Sequence, residues 1–110
     1  MTIEKQFLFQ KTDSKIIERI IDDDNVNINH MVLPKGEALP EHYSNSNVYM
    51  VVTRGIITLK LNEQEEHNYP SGSILTIPYK MKMNVSNKHD EVLEFLVVKA
   101  PSPRKFNAGQ

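Results

Sequence analysis

Four histidines and no cysteine set the limits of the side-chain chemistry open to this 110-residue chain. His42 stands apart from the others because a dense polar run, Ser44-Asn45-Ser46-Asn47, follows it almost at once. An imidazole beside hydroxyls and amides can orient a small polar molecule through hydrogen bonds. Ser and Asn also bond their own backbone in turns, so the same run has a purely local explanation. His30 is the second candidate. Paired with His42 and completed by Asn47 or Met83, it would form a reduced metal site, although a hydrogen-bonded interior histidine is the simpler expectation. His67 and His89 lie in EEHNY and NKHDE and are expected at the surface. Met81 and Met83 are core filler before they are ligands.

No nucleophile and base stand at a recognisable spacing. Cysteine is absent, there is no G-x-S-x-G, and the carboxylates cluster in turns and on polar faces. The run Asp22-Asp23-Asp24 lacks the spaced oxygens of a calcium loop and is expected to turn a hairpin. Tyr79-Lys80-Met81-Lys82 is expected as a solvated turn and edge strand rather than a basic–aromatic patch. A net charge of -1 argues against a nucleic-acid partner. No apolar run approaches the roughly 18 residues that a membrane span requires. The opening MTIEKQFLFQ carries charges on both sides of a short apolar patch, unlike a signal peptide. With no cysteine, these features point to the cytoplasm.

The elements that must position these groups are short strands. Apolar, β-branched runs recur between Pro, Gly, Asn and Asp, the rhythm of an all-β sandwich or barrel. They cover Gln6–Gln10, Lys15–Ile21, Val26–Leu33, Val48–Thr53, Ile56–Asn62, Glu66–Tyr69, Ser73–Ile77, Met81–Asn87 and Val92–Lys99. Lys15–Ile21 fits a helix face about as well, but its β-branched content and length favour a strand. Alternation predicts inward faces made of Val26, Ile28, His30 and Val32; of Ile57, Leu59 and Leu61; of Met81, Met83 and Val85; and of Leu93, Phe95 and Val97. Leu96 and Val98 make the last strand apolar on both sides, as at a layer or subunit contact. Turns are expected at Leu33-Pro34-Lys35-Gly36, Asn62-Glu63-Gln64 and Tyr69-Pro70-Ser71-Gly72. The tail 100–110 should cross the surface or fray.

At fixed spacings the chain resembles the cupins, small jelly-roll barrels. Their first motif, G-x5-H-x-H-x3 or 4-E-x6-G, is followed in step by Gly36, His42, Ser44, Val48 and Gly55. Their second, G-x5-P-x-G-x2-H-x3-N, is followed by Gly72, Pro78, Lys80, Met83 and Asn87. The resemblance implies an all-β fold, a cupin-type double-stranded β-helix in a single domain, 1–110. N-terminal strands would occupy about 1–25, the barrel about 26–99, and the tail 100–110.

In metal-binding cupins two histidines and a glutamate of the first motif and a histidine of the second hold one divalent cation. Those positions here are His42, Ser44, Val48 and Met83, so the resemblance implies a retained scaffold and a lost metal site, with no cofactor. The expected activity is binding of a small polar molecule in the barrel mouth. The pocket would be lined by His42, Ser44, Asn47, Tyr49 and Met83, with His30 behind them. Cupins commonly pair, so a homodimer is expected, through the two-sided strand Val92–Lys99 and the N-terminal strands. Two alternatives remain: a metal-dependent dioxygenase or isomerase built on His30, His42 and Met83, and a structural or partner-binding module.

Overall fold

The computed structural model describes residues 2–106. Its strands are β1 (Ile16–Asp22), β2 (Asn27–Leu33), β3 (His42–Tyr43), β4 (Val48–Arg54), β5 (Ile56–Leu61), β6 (His67–Pro70), β7 (Ile74–Ile77), β8 (Lys82–Ser86) and β9 (Leu93–Lys99). A five-stranded sheet runs β1-β2-β9-β4-β7 and a four-stranded sheet runs β3-β8-β5-β6, with antiparallel ladders throughout. Lys15–Ile21 is therefore a strand. Its partner is β2, reached through a turn in which Asp23 Oδ1 accepts the amides of Asn25 (2.9 Å) and Val26 (3.0 Å). Among the described residues no helix is long and apolar enough to cross a membrane.

The core lies between the sheets. Leu93, Phe95 and Val97 of β9 meet Ile57 and Leu59 of β5 and Met83 and Val85 of β8 in one apolar cluster. These are the faces that strand alternation predicts. The expected turns form: Glu37 N donates to Pro34 O at 3.0 Å, Gln64 N to Leu61 O at 3.1 Å, and Ser73 N to Pro70 O at 3.2 Å. Gly55 links β4 to β5 at φ +80°, and a Cβ there would stand 2.4 Å from the Val92 carbonyl oxygen, so only glycine fits.

Three expectations are corrected. Gln6–Gln10 is not a strand. It forms an extended arm whose Gln10 amide donates to the Glu18 carboxylate at 2.9 Å instead of joining a ladder. On β2 the alternation is right but the side is wrong: Asn29 and Met31 face the barrel, whereas His30 faces outward beneath Phe9 of the arm. Val32 shares that outer face and is buried too, so β2 is covered on both sides and its pattern alone cannot tell in from out. Tyr79–Lys82 does not lead into an edge strand, because β8, which starts at Lys82, lies between β3 and β5. The tail takes the first of its two expected courses: it crosses the surface and is seated as far as Phe106. Ser46 Oγ donates to Pro101 O at 2.5 Å, Arg104 reaches Asp22 Oδ1 at 3.2 Å, and Phe106 meets Tyr79 with ring centroids 4.7 Å apart. Residues 107–110 of the tail lie outside the described residues.

Candidate functional site

β3 is only two residues long, yet it sets the mouth of the barrel. His42 pairs with Met83 and Tyr43 with Lys82 on β8. The His42 ring is anchored by Nδ1, 2.9 Å from the Pro40 carbonyl oxygen. A carbonyl can only accept, so Nδ1 carries a proton and Nε2 is the nitrogen left for a ligand. The ring borders a cavity of about 40 Å³ that runs between the sheets, floored by Met31, Met50, Met83 and Val97.

Ser44 lines the same cavity, but its hydroxyl is committed. It donates to Pro78 O at 2.6 Å and accepts the Met81 amide at 2.8 Å. The backbone repeats the tie, with Ser44 N on Met81 O at 2.9 Å and Lys80 N on Ser44 O at 3.0 Å. Lys80, at the place of a family glycine, keeps the glycine-like conformation with φ 71°. Asn87 at the end of the second motif is fully buried and has a clamping role. Its Nδ2 donates to the carbonyls of Leu33 and Glu91, each at 2.8 Å, and its Oδ1 accepts the His89 amide at 2.9 Å.

Of the expected pocket residues, the structure brings His42, Ser44 and Met83 together. It does not bring Asn47, Tyr49 or His30 to them. Asn47 and Tyr49 line an outer groove of about 230 Å³ with Thr76 and Pro78. The alternation of buried Val48, Met50 and Val52 carried that information, since it turns both neighbours of Val48 outward. His30 is buried on the outer face, with Nδ1 2.7 Å from Glu18 Oε2 and Nε2 2.6 Å from Glu94 Oε2. Both carboxylates accept, so both ring nitrogens donate. Phe9 stacks on the ring at a centroid distance of 4.1 Å. Glu94 continues to Arg54 at 3.2 Å and Arg54 to Asp13 at 2.6 Å. A groove of about 640 Å³ lies over this network, and three of the charged groups that line it, Asp13, Arg54 and Glu94, are already paired.

The structure also brings two unexpected polar residues to the barrel mouth, Asn29 and Lys99, and from the polar run after His42 it adds Asn45 beside Ser44. Lys99 continues the inward series Leu93, Phe95, Val97, so alternation could have found it. Burial pushes its ammonium below the usual lysine range, and the neighbouring Arg19 adds to the effect.

A metal fits poorly at the family's ligand positions. Ser44 is engaged twice, Val48 presents hydrocarbon, and Met83 presents a buried thioether. That leaves one imidazole nitrogen, short of the three or four protein donors that hold a divalent cation.

Two antiparallel sheets closed around an apolar core, open at a mouth set by β3, define a double-stranded β-helix protein. An uncharacterized protein of Methanocaldococcus jannaschii, MJ0764, is 46% identical over 107 residues, covering 96% of this chain and 92% of its own. The crystal structure of MJ0764, an RmlC-like cupin family protein with a double-stranded β-helix fold, matches with a TM-score of 0.93 at 45% identity, over 98% of this chain and 100% of that one. The chain belongs to the RmlC-like cupin family. An uncharacterized conserved protein of Klebsiella pneumoniae with a double-stranded β-helix domain shares the fold at 12% identity, with a TM-score of 0.76 over 93% of this chain and 92% of its own. No family model matches the chain.

Proposed function

We propose that this cupin binds a small polar molecule in the barrel mouth without a resident metal, and that it works as a cytoplasmic homodimer. The observation that carries the binding role is His42. Its ring is held by Pro40 at the rim of a cavity with Nε2 left over, beside the amides of Asn29 and Asn45. Such a rim supplies the few convergent polar groups that orient a ligand over an apolar floor. Dimerisation draws support from the outer face of the five-stranded sheet. Ile74 is 68% exposed and Tyr49 39%, next to the half-buried Val51, Leu96 and Val98. An apolar face of that kind supports the reading as an interaction surface.

The test is extraction of bound small molecules from protein purified without chelator or a nickel column, with metal analysis of the same sample. A ligand released by the wild type and missing from His42→Ala supports the proposal. Stoichiometric metal that disappears in His42→Ala would overturn its metal-free part. Light scattering in solution tests the dimer.

A partner-binding module is the second reading, and it has its own observation. Met31, Met50 and Met83 fill the barrel so far that only about 40 Å³ remains. That reading predicts no extractable ligand.

A further inference from the structure

The inner face of the five-stranded sheet changes character along its strands. Toward one end it presents Leu33, Val52 and Leu93, all buried. At the other end β9 finishes on Lys99, paired with Asn27 of β2 and Val48 of β4. A lysine at such a rim can simply lay its stem along apolar surface and send the ammonium to water. Two observations give Lys99 a more specific part.

The first is that no counter-charge pairs with it among the described residues. Lys99 is half-buried, and the neighbouring charge that acts on it is the cation Arg19. Asp22, the acid in the adjoining groove, is already held by Arg19 at 3.3 Å, Asn27 at 3.3 Å and Arg104 at 3.2 Å. A partly desolvated cation without an anion is unfavourable and gains from one that arrives. The second is position. Lys99, Asn29 and Asn45 border both the interior cavity and an open groove of about 240 Å³. Beyond them the cavity wall is mostly hydrocarbon and thioether, from Met31, Val48, Met50, Met83 and Val97, with His42 and the committed hydroxyl of Ser44 at its rim.

We propose that the barrel mouth takes a small aliphatic carboxylate, its carboxylate on Lys99 between the amides of Asn29 and Asn45 and its short hydrocarbon end in the methionine-lined cavity. This rests on the pocket being a small-molecule site, and it names the chemical class. A free volume of about 40 Å³ is close to one water's share of liquid, about 30 Å³, so it admits one or two carbons before a methionine must move. Each methylene that enters should tighten binding about fourfold, and the gain should stop once the cavity is full.

The experiment follows backbone amide shifts of the full chain during titration with propionate, with the uncharged isostere propionamide, and with inorganic phosphate. Propionate should move the amides of Asn29, Met83 and Lys99 at least tenfold more tightly than propionamide, and phosphate should leave Met83 unmoved. Lys99→Met should erase the difference between acid and amide. The wild-type comparison stands without that variant, should it fold poorly. Equal binding of propionate and propionamide overturns the role of Lys99 while leaving the small-molecule pocket intact. Phosphate acting like propionate at Met83 overturns the aliphatic class. No shift at these amides from any of the three overturns the carboxylate site. The pocket reading then stands or falls on the extracted ligand.

Discussion

The hydroxyl of Ser44 donates to the carbonyl of Pro78 at 2.6 Å. One residue stands where metal-binding cupins carry a ligand, and the other is a retained turn residue of the second motif. The hydroxyl also accepts the Met81 amide, so it ties the loop after β3 to the turn between β7 and β8. A position that serves a metal elsewhere in the family serves the scaffold here. Ser44→Ala should cost about 2 kcal/mol, because it leaves a carbonyl and an amide without partners beside a buried site. Urea unfolding measures it, and a change below a few tenths of a kcal/mol would remove the clamp.

Asn87 makes a comparable but larger contribution. Its amide bridges Leu33, Glu91 and His89 from full burial, so Asn87→Ala strands two carbonyls and one amide. Destabilisation of about 3 kcal/mol is expected. Asn87→Asp should also destabilise, since a carboxylate cannot donate to the Leu33 and Glu91 carbonyls. An Asp variant as stable as wild type in the same assay contradicts this assignment.

Lys80 gives the opposite sign. It holds φ 71°, where an L side chain costs about 1–2 kcal/mol and glycine's extra chain entropy costs about 0.5–1 kcal/mol. Lys80→Gly should therefore stabilise by about 0.5–1 kcal/mol. The denaturation midpoint should rise with an unchanged slope. A lower midpoint would mean that the lysine side chain contributes something of its own.

The N-terminal arm should respond to acid. The Gln10 amide and then His30 hold the Glu18 carboxyl below its usual range. A carboxyl lowered on folding stabilises above its ordinary range, and that contribution is lost as pH falls through the lowered value. The contact between Gln10 and Glu18 should thus hold at neutral pH and weaken below about pH 4. Exchange of the Gln10 amide should quicken there ahead of core amides such as Phe95. Simultaneous exchange of both is the contrary result.

His30→Leu tests the same network from the inside. It leaves Glu18 and Glu94 facing each other without the ring between them, and Glu94 keeps only Arg54. A loss of about 3 kcal/mol is expected, near the lower bound for breaking a buried pair, because both carboxylates are partly exposed. The loss should be accompanied by release of Phe9. Tight-binding ligands of the barrel mouth should bind unchanged, since His30 lies on the other side of the sheet.

Much of this protein was legible in its sequence. The spacing of Gly36, Gly55, Gly72, Pro78 and Asn87 specified the barrel, because turns and clamps need particular backbone conformations and donors wherever they occur. Period-two patterning assigned the core faces of β5, β8 and β9, where one side is apolar and the other polar. The same patterning separated His30 from Asn29, but it could not say which of them entered the barrel. That was decided on the outer face, where Phe9 of the arm at residues 6–10 stacks on His30 and where Val32 is buried as well. Nor could sequence tell a lysine at a strand end from an ordinary solvated one. Lys99 acquires its chemistry from burial beside Asn27 and Val48 and from having no ion-pair partner among the described residues, since the nearby Asp22 is held by Arg19, Asn27 and Arg104. Strand periodicity is local and can be read one residue at a time. The side of a sheet that is covered, and the charge left unpaired there, depend on segments distant in sequence, so only the tertiary structure decides them.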